Sequence, residues 1–248
     1  MLQEERKKVD QERYRRQILI DGWGVETQEK LRNSKVFILG AGGLGCPVAL
    51  NLTSAGIGSI TICDADSVEL SNLNRQFLHV EKNIGVDKTT SAVQFLSKFN
   101  SAVNFTTITD TVTVDNVNEM VGDADIILDC VDNFPARYAL NLCAIEKQIP
   151  LVHGAVWGME GRVTFLKPPS TPCLSCLFPV APQKEEIPIV GVVACATGSM
   201  QAMEAIQYLC GDRQSLQGQM LIMDYSSMRF QTLEISRNPD CPVCEQLR

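Results

Sequence analysis

The chain has 248 residues, of which 45% are hydrophobic and 21% are charged, as is typical of a soluble globular protein. Its formal net charge of −7 opposes nonspecific binding to nucleic acid or to an anionic membrane surface, so neither is expected as a partner. No apolar run reaches the roughly 18 residues of a membrane-spanning helix, and the charged N-terminus lacks the pattern of a signal peptide. The expected location is the cytoplasm.

The first two thirds of the chain alternate between strand and helix patterns. A charged segment with an apolar end (4–20) predicts a helix, and the short β-branched run 35–40 predicts a buried parallel strand. Further strands are predicted at 59–64, 103–109, 125–130 and 150–155, and helices at 43–55, from 88 onward, at 115–121 and at 135–147. This alternation predicts an α/β fold with a Rossmann-like, doubly wound, mostly parallel sheet that binds its ligand at the carboxyl ends of the strands.

The pattern changes after residue 160. Strands are predicted at 161–166, 219–225 and 228–235, around a proline-rich crossing (168–188) and a helix near 195–210. No linker separates these elements from the rest, so they are expected to extend the same sheet with antiparallel strands. We therefore expect one domain over residues 1–248, with an N-terminal helix (4–20), a nucleotide-binding half (30–155) and a mixed-sheet extension (156–248).

A glycine-rich motif lies between the first strand and the next helix. Gly40, Gly42 and Gly45 form G-x-G-x-x-G, Gly43 adds a further glycine, and Asp64 ends the following strand. Such glycines let the backbone approach phosphates at a helix N-terminus, and the acid binds ribose hydroxyls. The motif indicates a nucleotide without saying which one. Taken alone it favours a nicotinamide dehydrogenase, and a tight turn without nucleotide is the alternative.

Polar and cationic side chains accumulate beyond Asp64, where a ligand is expected. The candidates for nucleotide binding there are Asp66, Asn72, Arg75, Gln76 and Lys88. Two cations and two amides suit a triphosphate, whose charge must be neutralised as the α-phosphate is attacked. A nicotinamide site needs fewer cations. The alternative for any one of these residues is a solvated surface group.

The predicted strand 125–130 ends in DCVDN (129–133), again at the ligand edge of the sheet. A carboxylate there, near cations and a polyphosphate, is a natural Mg²⁺ ligand. The alternative is an N-cap of the following helix, which either Asp132 or Asn133 would supply. We expect a structural role for Asp129 and Mg²⁺ binding for Asp132.

Four of the ten cysteines form two C-x₂-C pairs, Cys173 with Cys176 and Cys241 with Cys244. Both pairs occur in proline-containing loops, and four thiolates suit a structural, tetrahedral Zn²⁺ site. A redox pair would precede a helix, which neither pair is expected to do; disulfide bonds or unligated thiols would also be compatible with the spacing. The remaining cysteines are expected to be buried small hydrophobes: Cys46, Cys63, Cys130, Cys143, Cys195 (in a helix core) and Cys210.

From about residue 10 to its C-terminus, the chain resembles the bacterial E1-like adenylyltransferases of molybdopterin and thiamine biosynthesis, homodimeric relatives of ubiquitin-activating enzymes. The motifs that carry the resemblance are RYRRQ (13–17), GAGGLG, DADSVELSNLNRQ (64–76), Lys88, DCVDN, GSMQAMEAI (198–206) and the two cysteine pairs. The resemblance implies ATP with Mg²⁺ and a ubiquitin-like sulfur-carrier protein that ends in Gly-Gly. The implied products are the carrier's acyl-adenylate and pyrophosphate.

The resemblance also implies roles for individual residues. Asp64 would hold the ATP ribose, and Asp132 would bind Mg²⁺. The residues that would face the phosphates are Asn72, Arg75, Gln76 and Lys88. The implied catalytic residues are Arg16, Arg75, Lys88 and Asp132. Arg16 matches a residue that enters the site of the neighbouring subunit, so a homodimer with Arg16 donated in trans is expected; by itself Arg16 would be interpreted as a solvated helix charge.

The chain departs from many relatives in the loop 177–194, which contains no cysteine. A covalent relay from this loop is therefore not expected. No rhodanese-like domain follows Cys244, so a separate sulfur donor is expected. The alternatives to adenylation are an NAD-dependent oxidoreductase and a noncatalytic E1-like scaffold. The carrier's pathway, whether molybdopterin, thiamine, tRNA thiolation or another, stays open.

Overall fold

Eight β-strands form one sheet in the computed structural model, which describes residues 11–183, 186–211 and 216–245. The strands are β1 (Lys35–Leu39), β2 (Ser59–Cys63), β3 (Asn104–Ile108), β4 (Ile126–Asp129), β5 (Leu151–Trp157), β6 (Glu160–Leu166), β7 (Gln219–Asp224) and β8 (Arg229–Glu234). Their order is β3-β2-β1-β4-β5-β6-β7-β8. The first five strands are parallel and the last three join antiparallel. The predicted mostly parallel sheet with an antiparallel extension is confirmed.

Helices cover both faces of the parallel half. They are α1 (Arg15–Ile18), α2 (Gly24–Asn33), α3 (Gly45–Ala55), α4 (Lys88–Phe99), α5 (Val117–Val121), α6 (Phe134–Lys147), α7 (Leu174–Leu177) and α8 (Gly191–Cys210). Val36 and Ile38 of β1 pack in the core with α3, α4 and α8, whereas Phe37 and Leu39 pack with α5 and α6. Because both faces of β1 are buried, its sequence is a continuous apolar run and does not alternate with polar residues. Across the described ranges, we find no helix with the length and apolarity to span a bilayer.

Besides α7, which is described with the cysteine pairs below, three helices differ from the sequence-based prediction. Of the predicted helix 4–20, residues 4–10 lie outside the described part, and the helix that follows ends at Ile18. Helix α2 was not predicted, because two of its three buried residues are polar, Thr27 and Gln28. Helix α8 begins at Gly191, where a Cβ would lie 2.3 Å from the carbonyl oxygen of Asn74. Tertiary packing therefore starts this helix earlier than its valine-rich sequence indicates.

The N-terminal segment is anchored to the end of α3. The side chain of Tyr14 is buried, and its hydroxyl accepts a 2.8 Å hydrogen bond from Asn100. Gln17 Nε2 donates to the carbonyl of Ala55 at 2.8 Å. A Cβ on Gly56, whose φ is +86°, would lie 2.6 Å from the Tyr14 ring, so only glycine fits there. The anchor leaves Arg16 of α1 exposed to solvent.

Candidate functional site

The glycine loop (residues 40–45) makes a turn that larger residues cannot make. Gly40 has a φ of +99°, and a Cβ on it would lie 2.7 Å from the carbonyl oxygen of Cys130. A Cβ on Gly45 would lie 1.8 Å from the carbonyl oxygen of Gly40. The loop therefore leads from β1 into α3 while touching the end of β4. The strand order reverses between β1 and β4, which is the place where open α/β sheets bind ligands.

The peptide of Ala41 is held from both sides within this loop. Its N–H donates to Asp64 Oδ2 at 2.7 Å, and its carbonyl lies 2.9 Å from His79 Nε2. The other ring nitrogen of His79 lies 2.9 Å from the hydroxyl of Ser91. Burial lowers the pKa of His79, so a neutral ring donates to Ala41 and accepts from Ser91. No sequence motif placed His79 in the site, although only two histidines occur in the chain.

Two predicted phosphate-facing residues pack against the glycines. The amide nitrogen of Gln76 would lie 3.5 Å from a Cβ on Gly42, and the stem of Arg75 would lie 3.6 Å from a Cβ on Gly43. Gln76 is 4% exposed, and its buried Oε1 has no hydrogen-bond partner in the described chain. A buried acceptor without a partner is rare in native proteins, so this oxygen is available to accept a hydrogen bond from a ligand. The residues present therefore fit a bound nucleotide.

A chain of polar contacts continues from the loop to Lys88. Asp64 Oδ1 accepts a 2.8 Å hydrogen bond from the backbone N–H of Asp66, whose side chain lies 2.7 Å from Lys88 Nζ. The Lys88 side chain is 8% exposed, whereas that of Asp66 is 71% exposed. Asn72 is buried, and its side-chain oxygen accepts from the backbone N–H of Glu69 at 3.0 Å. Hydrogen bonds and an ion pair thus link the glycine loop to Lys88 through Asp64 and Asp66. Asn72, in contrast, stabilises its own turn.

Asp132 lies just beyond β4, and its surroundings differ from those of Asp129 and Asn133. It is exposed, with no hydrogen bond or ion pair to any residue that the structure describes. Asn133 caps α6 by accepting from the backbone N–H of Ala136 at 3.0 Å, so Asp132 is not needed as the cap. Asp129 is fully buried. An exposed, unpaired carboxylate at this edge fits the donor set that Mg²⁺ prefers.

Arg16 is the predicted catalytic residue that lies away from this edge, on a helix anchored at the C-terminal end of α3. It is exposed on α1 and forms no hydrogen bond or ion pair within the described ranges. A role in the site of its own chain therefore has no support in these contacts.

The two cysteine pairs converge into one thiol cluster, which we define as Cys173, Cys176, Cys241 and Cys244. Their sulfur atoms all lie within 4.8 Å of one another, with separations of 3.8, 3.7 and 3.4 Å for 173–176, 173–241 and 176–244. Tetrahedral Zn²⁺ with bonds of about 2.3 Å places sulfurs roughly 3.8 Å apart, whereas a disulfide needs about 2.0 Å. Arg237 donates to the carbonyl of Cys244 at 2.5 Å and adds a positive charge beside the sulfurs. The cluster therefore fits zinc.

One expectation about these pairs was wrong. Cys173 is the N-cap of α7 and Cys176 lies within it, so the first pair spans the start of a short helix. The sequence TPCLSC carries no helix signal, because its proline and single turn are typical of a loop. The helix does not restore a redox interpretation, since the second pair supplies two further thiols at bonding distance from one metal ion.

The remaining cysteines are mostly buried, as predicted. Cys195 is the exception, because it is half-buried in α8 and does not lie in the helix core. Burial raises the pKa of Cys46 and of Cys63 to about 12, and burial also places the pKa of Cys130 well above its ordinary value. These three thiols next to the glycine loop and β2 are protonated at neutral pH and are poor nucleophiles.

Comparison with known proteins identifies relatives along almost the whole chain. Residues 14–243 match the ThiF family. The chain is 41% identical to the SAMP-activating enzyme E1 of Haloferax volcanii over 240 residues, which is 94% of this chain and 88% of that protein. It is 36% identical to adenylyltransferase and sulfurtransferase MOCS3 of Anopheles gambiae, covering 94% of this chain but only 55% of that protein. The chain thus spans about half the length of this second relative.

The fold also matches a solved structure. E. coli MccB crystallised with MccA-N7isoASN aligns with a TM-score of 0.86 and 26% identity, covering 94% of this chain and 74% of that one. The resemblance to E1-like adenylyltransferases is confirmed.

The thiol cluster yields the first prediction. Purified protein should contain about one zinc ion per chain, and Cys241→Ser should release it, because three thiolates no longer close the tetrahedron. Loss of a ligand present at 1,000 times its Kd removes about 4 kcal/mol of stability, so the melting temperature should fall. Metal analysis by mass spectrometry and thermal unfolding measure both effects.

The matched control is Cys143→Ser, since Cys143 is equally buried but lies outside the cluster. It should retain zinc. Zinc-free wild-type protein with four accessible, reduced thiols would contradict the assignment.

Proposed function

The chain belongs to the ThiF family and is an E1-like adenylyltransferase, and we propose that its substrate is the C-terminal Gly-Gly carboxylate of a small ubiquitin-like sulfur-carrier protein. The products are the acyl-adenylate of the carrier and pyrophosphate. The observation that carries this proposal is the convergence of the glycine loop, Asp64 and the two cations Arg75 and Lys88 at one edge of the sheet.

The reaction needs no nucleophile from the enzyme. A C-terminal carboxylate is ionised at neutral pH and can attack the α-phosphorus of ATP itself. The enzyme must align these two groups and stabilise the negative charge of the departing pyrophosphate. The protein therefore supplies cations and backbone N–H groups that stabilise this charge.

We assign the ATP-binding roles as follows. The glycine loop and the positive N-terminal end of α3 face the phosphates, with Arg75 and Lys88. Asp64 keeps acceptor capacity for ribose hydroxyls, because a carboxylate has about four lone-pair sites and two are used here. Asp66 is largely exposed, so it can turn to solvent when a phosphate takes its place beside Lys88. Asn72 and the unpartnered amide of Gln76 complete the binding set.

Asp132 is assigned to Mg²⁺. When bound, this ion would offset charge on the polyphosphate. The support is that Asp132 is exposed and unpaired within the described chain, while Asn133 takes the capping role. A carboxylate with no structural task at the ligand edge is the feature expected of a Mg²⁺ ligand.

We assign Arg16 to the site of a second copy of the chain in a homodimer. The support is its exposure on a helix that Tyr14 and Gln17 hold firmly in place. Leu19, the first residue after α1, has an apolar side chain that is 68% exposed. An anchored helix that presents a cation and apolar side chains to solvent suits an interface between subunits.

Sulfur reaches the activated carrier from a separate donor in this proposal. The thiols beside the glycine loop are buried and protonated, and four others form the cluster. The names of the relatives mention SAMP in one case and a sulfurtransferase in the other, so they do not single out one pathway. Pyrophosphate exchange with each small Gly-Gly-ending protein of the source organism identifies the carrier.

Asp132→Ala tests the Mg²⁺ role. It should lower carrier-dependent ATP–pyrophosphate exchange by about 10²–10³-fold, because charge on the leaving pyrophosphate is no longer offset. The fold and zinc content should be unchanged, since the side chain makes no bond to the described chain. Radiolabelled pyrophosphate exchange is the measurement.

The matched control is Asp115→Ala, another exposed aspartate, which lies before α5 and outside the site. It should exchange pyrophosphate at the wild-type rate. Wild-type exchange by a folded Asp132→Ala protein would remove Asp132 from the site.

A further prediction separates activation from covalent transfer. Incubation with carrier, ATP and Mg²⁺ should release pyrophosphate without forming an enzyme–carrier adduct, because a stable thioester needs an accessible, partly ionised thiol near the carboxylate. Nonreducing gels and intact-protein mass spectrometry should show only the free proteins. Cys195→Ser should retain full exchange. A thiol-sensitive adduct mapped to Cys195 would contradict this prediction and leave the adenylation assignment standing.

A further inference from the structure

Three ionisable side chains are buried directly beneath the segment that carries Asp132, and the roles described above use none of them. Asp129 and His153 are 0% and 1% exposed, and Arg137 is 7% exposed. They come from the end of β4, the middle of β5 and the first turns of α6. A buried cluster of this kind requires a physical explanation, because removing charges from water is costly.

Arg137 contacts the main chain of Val131, before Asp132, and the ring of Phe134, after Asp132. Its terminal nitrogen donates to the carbonyl of Val131 at 2.6 Å and to that of Gly154 at 3.2 Å. The centre of its guanidinium group lies 5.1 Å from the centroid of the Phe134 ring. Arg137 therefore ties the segment 131–134 to the neighbouring strand β5.

Asp129 balances the charge of Arg137 and also restrains Val131, while His153 holds Asp129 in place. Asp129 Oδ2 lies 3.4 Å from Arg137 Nε and 2.6 Å from His153 Nδ1, while Oδ1 accepts from the backbone N–H of Val131 at 3.3 Å. Burial opposes ionisation of Asp129, but the Arg137 charge and the His153 hydrogen bond hold its pKa below the ordinary value. Burial lowers the pKa of His153. The pair is thus an ionised Asp129 with Arg137, and His153 is a neutral donor.

Stability alone is a weak explanation for this arrangement. A buried ion pair is often no more stabilising than well-packed apolar residues of the same volume. What apolar residues cannot do is hold a carbonyl and an N–H at fixed positions. Here both polar groups of Val131, the residue before Asp132, are held by the buried pair. The exposed carboxylate of Asp132 has no other restraint among the described residues.

We propose that Arg137 is a positioning residue for Mg²⁺ binding, which holds the Val131 carbonyl before Asp132, packs on the Phe134 ring after it, and so keeps Asp132 where its carboxylate binds the ion. This inference rests on the Mg²⁺ role proposed for Asp132. Residues that support metal ligands typically contribute 10–100-fold to metal affinity when they are replaced.

The test is a double-mutant cycle on Mg²⁺-dependent ATP binding, which needs no carrier. Arg137→Lys keeps the buried positive charge but loses the fork that reaches two carbonyls and Asp129 together. It should raise the half-saturating Mg²⁺ concentration for ATP binding by about 10-fold in the wild-type background. In the Asp132→Asn background the same change should have less than a 2-fold effect, because the residue it acts through is already disabled. Isothermal titration calorimetry at a series of Mg²⁺ concentrations is the measurement.

Leu140→Ala is the matched control for lost stability, since Leu140 is fully buried in the same helix and contacts none of the three groups through polar atoms. It should leave the Mg²⁺ dependence of ATP binding unchanged. If Arg137→Lys does not fold, Phe134→Leu removes the ring beneath the guanidinium and leaves the buried charges in place. It should give a smaller shift of a few-fold, again only when Asp132 is intact.

The inference is overturned if Arg137→Lys leaves the Mg²⁺ dependence unchanged, if its effect is equal in both backgrounds, or if Leu140→Ala has the same effect. Failure of the wider proposal looks different. Wild-type protein that binds ATP with Mg²⁺ but exchanges no pyrophosphate with any Gly-Gly-ending carrier would refute the carrier assignment and leave the role of Arg137 intact. An unchanged Mg²⁺ dependence in Asp132→Asn would refute the Mg²⁺ role of Asp132 and, with it, the role of Arg137.

Discussion

The site depends on a close approach of main chain to main chain at the end of β1. Gly40 lies so near the Cys130 carbonyl, and Gly45 so near the Gly40 carbonyl, that any side chain at either position would collide with backbone atoms. This approach brings the positive end of the α3 dipole next to the end of β4. The glycine loop, which we propose to bind the phosphates, and the carboxylate of Asp132 therefore share one edge as a direct result of two glycines.

The residues that face a ligand and the residues that hold them in place are different sets. Gln76 and Asp132 have polar atoms without protein partners in the described chain. The peptide of Ala41, in contrast, is bonded on both sides by Asp64 and His79. Unpartnered polar groups remain available to substrate only if the backbone beneath them is rigid, since binding otherwise has to offset the entropy of ordering that backbone.

Sequence patterns predicted the parts of this protein whose signals are local. The buried strands are continuous apolar runs, the glycine loop needs glycine for steric reasons, and the cysteine pairs have metal-ligand spacing. The supporting residues were missed because their partners are distant in the chain. His79 acts on Ala41, 38 positions away, and Arg137 acts on Gly154, 17 positions away. No periodicity in the sequence marks a buried histidine or arginine whose partners are backbone carbonyls on other elements.

The thiol cluster and the nucleotide edge are joined by one helix but kept apart by its length. Asn133 caps the start of α6 beside Asp132, whereas Ile145, near the other end, packs against the cluster. At 1.5 Å per residue these two points lie roughly 18 Å apart along the helix. Between them, Asn141 accepts a 2.8 Å hydrogen bond from the backbone N–H of Leu174, which ties the proline-rich crossing to the same helix. A metal ion in the cluster is thus too distant to act directly on the edge that carries Asp132, and α6 is an element that connects the two regions.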